Sequence, residues 1–487
     1  MKKFSGKTAY VIGSGPNGLA AAITLVRAGL PTTVLEAESI VGGGTRSAEL
    51  TLPGFTHDIC SAVHPLGISS PVFRSFPLLD HGLEWIHSPS PLAHPLDDGS
   101  CVLTDRSVEI TARRLGADEQ IYRRKMGPLA SRWTDLVGEI LAPPHVPRHP
   151  FLLARFGVLA PWPAKSVARR LFRTEEARAL FAGMAGHASL ALETPGSAAF
   201  AWMLNLACHG GGWPIPRGGS QRIANALVSY FESLGGRIVA GTRVKSIDEL
   251  TDARLVLCDF SPRQMLHIAG QHLTPRFARK MERYRYGPGT FKLDWALNGP
   301  IPWRATSCSH AATVHLGGTL DEIAEAERTP WQGTTSERPY VLLAQPSLFD
   351  PSRAPAGKHT AWAYCHVPNG SREDMTERIE AQVERFAPGF RARIIGRSVM
   401  NPAAMQQYNA NLIGGDINGG AQDLRQLLLR PTRRFYRTPV QGLYFCSSSS
   451  PPGGGVHGMC GYHAARIALK DAGVATRPPF VPVTGRE

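Results

Sequence analysis

Six consecutive residues near the N-terminus, 13–18 (GSGPNG), have the glycine spacing of a dinucleotide-binding turn. They follow the strand-like run TAYVIG and open the helix-like run LAAAITLVRAG, after which PTTVLE reads as a second strand. Gly13 permits the tight turn, Gly15 lets the backbone approach a pyrophosphate, and Gly18 allows the helix to pack closely on the strand. Glu36 stands 18 residues after Gly18, where an acid would bind ribose hydroxyls. The segment therefore predicts a dinucleotide-binding βαβ unit.

A second glycine loop, residues 41–47 (VGGGTRS), follows the predicted ribose acid directly. Nicotinamide dehydrogenases do not need a loop at this place. A G-G-x-x-R element at this spacing is similar to that of FAD enzymes of the glutathione-reductase-like superfamily, in which Gly42, Gly43 and Arg46 would close over the diphosphate and approach the flavin. The alternative interpretation is a flexible loop with a solvated Arg46.

A third glycine-rich segment lies near the C-terminus. Residues 442–446 (GLYFC) read as a short buried strand, and residues 453–458 (GGGVHG) come after SSSSPP and open a helix that runs through AARIAL. The N–H groups and positive dipole end of such a helix could stabilise the negative charge of a reduced flavin. A structural turn between strand and helix is the alternative.

The middle of the chain adds a further piece of this domain. Residues 213–220 (WPIPRGGS) lead into a helix closed by two glycines, and RIVAGTRVKSI then has strand signals. The apolar face of that helix consists of Ile223, Leu227, Phe231 and Leu234. Residues 375–386 have a second helical apolar face, which ends at Pro388-Gly389.

With these motifs in this order, the chain resembles the phytoene desaturase and amine oxidase superfamily of flavoproteins over nearly its whole length. Five segments are similar to the branch named pyridine nucleotide-disulfide oxidoreductase domain-containing proteins: THDICSAVHPL (56–66), YRYGPGTFKLDW (284–295), VHLGGTL (314–320), GGDINGG (414–420) and PPGGGVHGMCGYHAAR (451–466). No C-x-x-C pair is present, and no second G-x-G-x-x-G follows a strand. We therefore expect no separate NAD(P) domain.

The resemblance implies an α/β fold in which a Rossmann-like, glutathione-reductase-like FAD-binding domain carries an inserted α+β substrate domain. We expect the FAD-binding domain in residues 1–75, 213–262 and 430–475, and the substrate domain in 76–212 and 263–429. The expected FAD contacts are Gly13, Gly15, Pro16, Asn17, Gly18, Glu36, Gly42, Gly43, Gly44, Arg46, Val244, Ser448, Gly454, Gly455 and Val456.

Three residues are candidates for catalysis. Lys292 in GTFKLDW matches the lysine that amine oxidases hold near flavin N5 through a water, and its alternative is a lysine at a sheet edge. His457 follows the triple glycine, where it could face the flavin or be satisfied by backbone. His64, with Asp58 in the same motif, could line the cavity or be hydrogen-bonded in a buried turn. No metal site is predicted: Asp416 and neighbouring residues mimic a calcium loop but lack its remaining ligands.

Composition limits the partners. The 487 residues carry a net charge of +14, which permits anionic membranes, acidic ligands or nucleic acid, but no nucleic-acid motif is present. Residues 140–174 contain no acid and mix six basic residues with apolar ones, which suits an amphipathic element on an anionic bilayer. Six prolines interrupt the segment, and a solvated helix pair is the alternative.

The eight scattered cysteines favour reduced thiols in the cytoplasm. The N-terminus MKKFSGK has no apolar region of a secretory signal, and no apolar run is long enough to span a bilayer. We therefore expect a cytoplasmic protein, and the basic apolar segment leaves open a peripheral position on a membrane.

The predicted function is FAD-dependent hydride transfer with an apolar substrate, isoprenoid or fatty, in dehydrogenation, saturation or isomerisation. Oxygen or a quinone would accept the electrons. An amine oxidase is the first alternative, and a flavin-binding scaffold without turnover is the second.

Overall fold

The computed structural model describes Phe4 and residues 6–475, so Lys2 and Lys3 of the N-terminal prediction lie outside the described residues. Within that part of the chain the strands are β1 Thr8–Ile12, β2 Thr32–Leu35, β3 Ser47–Glu49, β4 Thr56–Asp58, β5 Trp85–Ile86, β6 Ser90–Pro95, β7 Cys101–Leu103, β8 Ile215–Pro216, β9 Arg237–Val239, β10 Ala253–Cys258, β11 Gly289–Leu297, β12 Ala311–Leu316, β13 Val341–Ala344, β14 His359–Val367, β15 Ile394–Met400 and β16 Leu443–Phe445.

The same residues form α-helices of 4 to 14 residues. They are α1 Pro16–Arg27, α2 Pro65–Ser69, α3 Pro71–Arg74, α4 Val108–Arg114, α5 Glu119–Ala130, α6 Trp133–Ile140, α7 Pro150–Gly157, α8 Ala164–Leu171, α9 Glu175–Gly186, α10 Ser197–Gly210, α11 Gln221–Ser233, α12 Pro262–Ala269, α13 Pro275–Glu282, α14 Leu320–Arg328, α15 Thr376–Phe386, α16 Pro402–Tyr408, α17 Leu424–Leu429 and α18 Met459–Asp471. None of the helices in the described residues is long and apolar enough to cross a bilayer.

The first sheet, here called the nucleotide sheet, has five parallel strands in the order β16-β10-β1-β2-β9. Its strands come from residues 8–35, 237–258 and 443–445, which lie far apart in the chain. Helices α1, α11 and α18 pack together beside it, and their apolar residues form part of the main core. Parallel strands need such helical cover because both faces of the sheet are buried. The βαβ unit predicted at the N-terminus is present as β1, α1 and β2.

The second sheet, here called the inner sheet, has seven mixed strands in the order β15-β11-β14-β13-β12-β6-β7. Strand β11 lies between β15 and β14, and all nine of its residues are buried. Helix α15 covers one face, where Met375, Ile379, Val383 and Phe386 join a second core. This confirms the helical face predicted for residues 375–386.

Residues 140–174 form two short helices, α7 and α8, rather than one long amphipathic helix. Prolines stand at the start of α7 and immediately before α8, where their missing N–H groups are tolerated. The buried side of the segment includes Leu152 and Phe156, whereas Phe151 is 90% exposed.

Candidate active site

The glycine turn at the end of β1 leaves no room for side chains. Gly13 has φ of 103°, a left-handed conformation that glycine adopts without strain. A Cβ on Gly15 would lie 2.6 Å from Asp259 Oδ2, and one on Gly18 would lie 2.1 Å from the Gly13 carbonyl oxygen. The turn therefore places the N-terminus of α1, which has Pro16 at its first position, directly against the end of the strand.

Glu36, the predicted ribose acid, follows β2 and is 9% exposed. Its Oε2 accepts hydrogen bonds from the backbone N–H of Ser14 (2.8 Å) and from the Ser14 hydroxyl (2.6 Å), and its Oε1 accepts one from the N–H of Glu38 (2.9 Å). The carboxylate therefore holds the glycine turn while it also lines the cavity described below.

Asp259, which the sequence analysis did not single out, lies in the same turn. It follows β10, and its Oδ2 accepts the N–H of Gly18 at 2.9 Å. Burial raises the pKa of this carboxyl to about 7, and the nearby Glu36 adds to the shift, whereas the hydrogen bond from Gly18 opposes it. A titratable carboxyl thus stands where the fingerprint would receive a pyrophosphate.

The second glycine loop crosses the fingerprint as predicted. Gly42 caps a short 3₁₀ turn with φ of 119°, and a Cβ on Gly43 would lie 3.1 Å from the Gly15 Cα. Arg46 donates from Nε to the Gly43 carbonyl (3.1 Å) and from Nη2 to the Tyr408 carbonyl (2.9 Å), and its guanidinium lies 4.1 Å from the centre of the Tyr408 ring. Arg46 is therefore fixed in the wall and is not the solvated residue of the alternative interpretation.

The C-terminal glycine segment is a loop, because α18 begins at Met459 and not at the triple glycine. Gly455 has φ of 125°, which a helix cannot accommodate. A Cβ on Gly454 would lie 2.9 Å from the Asn418 carbonyl oxygen, so this glycine permits contact with the GGDINGG loop. Gly458, the last glycine of the segment, is the N-cap of α18, and β16 precedes the segment, so the predicted order of strand, glycine segment and helix is confirmed.

These three glycine segments surround one cavity of about 510 Å³. One end, here called the nucleotide end, is lined by the fingerprint, Glu36 and Val244. The other, here called the inner end, reaches the inner sheet. Its lining includes His187, Thr290, Lys292, Thr313, Leu342, Trp362 and Tyr364.

Most of the expected FAD contacts line this cavity. They are Gly13, Gly15, Pro16, Asn17, Glu36, Gly43, Gly44, Arg46, Val244, Ser448, Gly455 and Val456. Gly18, Gly42 and Gly454 stand just behind the lining, where they allow close packing.

Lys292 lies at the inner end on β11 and is 1% exposed. Its Nζ pairs with the Asp294 carboxylate two residues along the strand and lies 5.8 Å from the centre of the Trp362 ring. Because β11 has neighbours on both sides, the sheet-edge alternative does not hold. The role of Lys292 near a flavin stays a prediction.

His457 and His64 are buried and stand outside the lining of the cavity. His457 Nδ1 accepts the N–H of Met459 at 3.1 Å, and His64 Nε2 lies 2.8 Å from Ser220 Oγ. Burial lowers the pKa of both imidazoles to about 4. Their surroundings match the backbone-satisfied and buried-turn alternatives, and their catalytic roles stay untested predictions.

Four further residues that were not predicted from the sequence also line the cavity: His187, Trp362, Tyr364 and Tyr408. Trp362 and Tyr364 alternate along β14, so the run HTAWAYCHV could have indicated a strand with an aromatic face. His187 directly follows α9 and Tyr408 is the last residue of α16, and no pattern in the sequence distinguishes these two positions.

The residues fit FAD. The glycine turns bring their backbone to the wall of the cavity, and the Oδ1 atom of Asn17 and the Oγ1 atom of Thr290 are buried without a hydrogen-bond partner among the described residues. Such unsatisfied polar atoms in a cavity wall are typical of a ligand site. The exception is Asp259, whose negative form would oppose the pyrophosphate.

Comparison with known proteins agrees with this geometry. A model of the NAD(P)-binding Rossmann-like domain matches residues 11–76. Pyridine nucleotide-disulfide oxidoreductase domain-containing protein 2 of Rattus norvegicus is 26% identical over 95% of this chain and 93% of its own length. The lycopene-forming phytoene desaturase of Pseudescherichia vulneris is 25% identical over 95% of this chain and 99% of its own.

Two solved structures share the fold. An oxidoreductase from Methanosarcina mazei has a TM-score of 0.65 at 18% identity, covering 95% of this chain and all of the other. A triple mutant of putrescine oxidase, made to redesign cofactor binding, has a TM-score of 0.62 at 17% identity, covering 96% and 99% of the two chains. The two structural likenesses confirm the predicted α/β fold, and the sequence relatives confirm the resemblance to phytoene desaturases and the class of FAD-dependent oxidoreductase.

Proposed function

We propose that the protein is a phytoene-desaturase-like enzyme that acts on an apolar substrate, isoprenoid or fatty, by dehydrogenation, saturation or isomerisation. The lining of the inner end supports this most. Among the described residues that line the cavity, the carboxylates are Glu36, Glu38 and Asp259, and all three belong to the nucleotide end. A substrate ammonium would meet no carboxylate at the inner end, whereas Leu342 and the Trp362 ring offer apolar contact.

Residues at the nucleotide end would bind the cofactor, and residues at the inner end would orient the substrate. When bound, FAD supplies the hydride acceptor or donor at N5. The N-terminus of α1 would bind the pyrophosphate, and Glu36 would bind the ribose. Arg46 would hold the loop that covers both groups. Trp362 and Tyr364 would orient the substrate, and the buried strands of the inner sheet would exclude water.

An amine oxidase is the second candidate, and one observation favours it. The rings of Trp362 and Tyr364 lie 5.1 Å apart at the inner end, and aromatic faces attract cations. Lys292 already lies 5.8 Å from the Trp362 ring, so a substrate ammonium placed there would meet a like charge. The apolar substrate is therefore preferred.

Anaerobic bleaching of the flavin tests the proposal. The FAD-loaded protein would be mixed with isoprenoid alkenes, fatty acids and primary amines matched in chain length, so that only the functional group differs within each set. Bleaching by the isoprenoid or fatty set is expected, and reoxidation by oxygen and by a short-chain quinone would then identify the acceptor. Bleaching by amines alone would establish the second candidate. Full FAD occupancy with no bleaching by any member, and with no product from any member on either the oxidised or the chemically reduced flavin, would leave the flavin-binding scaffold.

The surface of residues 146–162 supports a second proposal, contact with an anionic bilayer. Val146, Phe151, Val158 and Trp162 are 59–90% exposed, and the neighbouring Arg148 and Arg155 are exposed as well. Exposed apolar side chains next to cations suit the interface of an anionic membrane. These four apolar residues are called the apolar patch below.

Vesicle flotation tests this contact. Binding should require anionic lipid and should weaken with salt, because charges are screened over about 10 Å at 0.1 M. Replacing Phe151 and Trp162 with serine should abolish it, whereas Leu428→Ser, at a 54% exposed leucine outside the apolar patch, should not. Equal binding to neutral vesicles, or none to anionic ones, would contradict the proposal.

A further inference from the structure

Two cysteines that are far apart in the sequence meet at the edge of the inner sheet. Cys101 is the first residue of β7, and Cys308 lies in the 3₁₀ turn Thr306–His310, just before β12. Their Sγ atoms are 3.4 Å apart, although the two residues stand 207 positions apart in the chain. The S–S bond of a disulfide is about 2.05 Å long, so the sulfurs would need to approach by about 1.4 Å to form one. The two free thiols are therefore close to the geometry of a disulfide.

The two thiols differ in their access to solvent. Cys101 is partly exposed, because β7 is the last strand of the inner sheet. Cys308 is fully buried. An oxidant that arrives from solution therefore meets Cys101 first, and the Cys308 sulfur stands directly behind it.

Cys101 is also the thiol of the pair that ionises more readily. A thiolate at Cys101 accepts hydrogen bonds from the S–H of Cys308 and from the hydroxyl of Ser307, and both lower the pKa of Cys101, whereas burial opposes the shift. The contact with Cys101 and burial raise the pKa of Cys308. The thiolate is the form of cysteine that attacks an oxidant. Cys101 thus has the properties of a reactive thiol, and Cys308 those of the thiol that would resolve its oxidised form.

The other six cysteines lack this combination. Five of them are buried, and burial raises the pKa of each: Cys208, Cys258, Cys365, Cys446 and Cys460. Cys60 lines the active-site cavity, where removal from water raises its pKa to about 11. Within the part of the chain that the structure describes, no hydrogen bond joins a second pair of sulfur atoms.

We propose that Cys101 and Cys308 form a reversible oxidation site, at which hydrogen peroxide converts the two thiols into a disulfide. Oxygen that accepts two electrons and two protons becomes hydrogen peroxide, so an enzyme of the proposed function that uses oxygen as its acceptor would itself produce the oxidant. The chemistry of the cysteine pair needs neither the substrate nor the flavin. It can therefore be tested whether or not the proposed function holds.

The oxidation takes place in two balanced steps. The Cys101 thiolate attacks one oxygen of the peroxide, an S–O bond forms, the O–O bond breaks, and the departing hydroxide takes up a proton to become water. The Cys308 sulfur then attacks the sulfenic sulfur of Cys101, an S–S bond forms, and the S–O bond breaks. The second hydroxide takes the Cys308 proton. The two thiols thus lose two electrons and two protons, one peroxide becomes two waters, and exchange with a reducing thiol restores both cysteines.

The disulfide would connect the edge of the inner sheet to its interior. Strand β7 pairs with β6 over three residues, and β6 pairs with β12. A bond from Cys101 to the turn before β12 would cross β6 and tie the three strands together. Because β12 carries Thr313 in the lining of the cavity, oxidation would stabilise the part of the sheet that supports the inner end.

Peptide mapping of the FAD-loaded protein tests the site. The protein would be treated with a small excess of hydrogen peroxide, its remaining thiols would be blocked with N-ethylmaleimide, and the digest would be analysed by mass spectrometry without reductant. Two peptides joined through Cys101 and Cys308 are expected, and dithiothreitol should return both thiols. Alkylation of both cysteines after peroxide treatment, or a disulfide that joins other cysteines instead, would overturn the inference.

Two serine variants test the order of the steps. In Cys308→Ser the second step is blocked, so a sulfenic acid should accumulate on Cys101 and be captured by dimedone. In Cys101→Ser the buried Cys308 should remain a thiol under the same treatment. Capture on Cys308 and not on Cys101 would contradict the assigned roles. The peptide map of the unaltered protein decides the existence of the site even where a variant fails to fold.

Urea unfolding tests the structural consequence. Peroxide treatment should shift the midpoint of the unaltered protein to a urea concentration higher by about 0.5–1 M, because the disulfide restricts the unfolded chain. The same treatment should not shift the midpoint of Cys101→Ser. A disulfide that forms without any shift would refute the stabilisation of the sheet.

Discussion

Replacing Asp259 with asparagine should stabilise the protein at neutral and alkaline pH and tighten its binding of FAD. The carboxyl of Asp259 is buried beside Gly18 and Glu36, and burial raises its pKa from 3.8 to about 7. The amide of an asparagine at this position would keep an oxygen that can accept the N–H of Gly18 but would carry no charge. The variant therefore removes the unfavourable ionised form and retains the hydrogen bond.

The size of the stability change follows from the pKa shift of Asp259. A raised carboxyl pKa means that the fold prefers the protonated form, so stability is complete below pH 3.8 and falls as the pH rises through 7. At about 1.4 kcal/mol for each pKa unit, ionised Asp259 lowers the free energy of unfolding by about 4 kcal/mol at pH 8 and by about 2 kcal/mol at pH 5. The stability gained through Asp259→Asn should therefore be about 2–3 kcal/mol larger at pH 8 than at pH 5.

Urea unfolding of the FAD-free proteins at pH 5 to 8 measures this difference, and FAD titration measures affinity over the same range. The affinity of the unaltered protein should decrease above pH 7, because two negative groups then share one turn, whereas the variant should hold its affinity. Asp252→Asn is the control, since Asp252 is near the start of β10 and accepts the Thr8 hydroxyl at an exposed position. Parallel pH curves for the Asp259 variant and the unaltered protein would refute the reasoning.

Three further changes test the site and its support. Gly15→Val should give colourless protein, because its Cβ would lie 2.6 Å from Asp259 Oδ2 in the pyrophosphate path, and stoichiometric FAD in the variant would contradict this. Lys292→Met, combined with Asp294→Asn so that no buried charge is left unpaired, should slow reoxidation by oxygen by about 10- to 100-fold in stopped-flow measurements and change substrate reduction less. Unchanged reoxidation with FAD bound would leave Lys292 a structural residue. Arg353→Met should lower the free energy of unfolding by about 3–5 kcal/mol in urea near pH 7, because it leaves the buried carboxylate of Asp58 without its charged partner.

The pH dependence of the Arg353 variant has a definite sign. Burial alone would raise the pKa of Asp58, but the Arg353 charge and hydrogen bonds from Ser220 and Ser47 hold it below 3.8. The stability from this pair is present above pH 3.8 and is lost as the pH falls through the lowered pKa. The difference between the variant and the unaltered protein should therefore shrink in acid, and a difference that stays constant would show that packing, not charge, is responsible.

The sequence predicts the nucleotide end of the site well because its signals are local. The turn at residues 13–18, the strand to Glu36 and the second glycine loop are contiguous, and each needs glycine for a steric reason that one segment reveals. The start of α18 was predictable for the same local reason, because Gly458 directly before Met459 is the N-cap of the helix.

The inner end could not be predicted in the same way. Lys292, Trp362 and Leu342 meet there because β11, β14 and β13 pair across long separations in the sequence, and pairing at that distance has no local signal.

The order of strands in the nucleotide sheet has a consequence for biosynthesis. Strand β1 pairs with β10, which begins at Ala253, and β10 in turn pairs with β16 near residue 443. At about 5–20 residues per second, a ribosome would finish β10 about 10–50 s after β1 and would need about 10–40 s more to reach β16. During that time the growing chain carries apolar strands with open edges, which are the surfaces that chaperones bind and that aggregate when uncovered. Residues that follow β1, β10 and β16 all line the cavity, so the cavity is complete only after all three strands are made, and the yield of coloured protein should depend on chaperone supply during synthesis more than on added flavin.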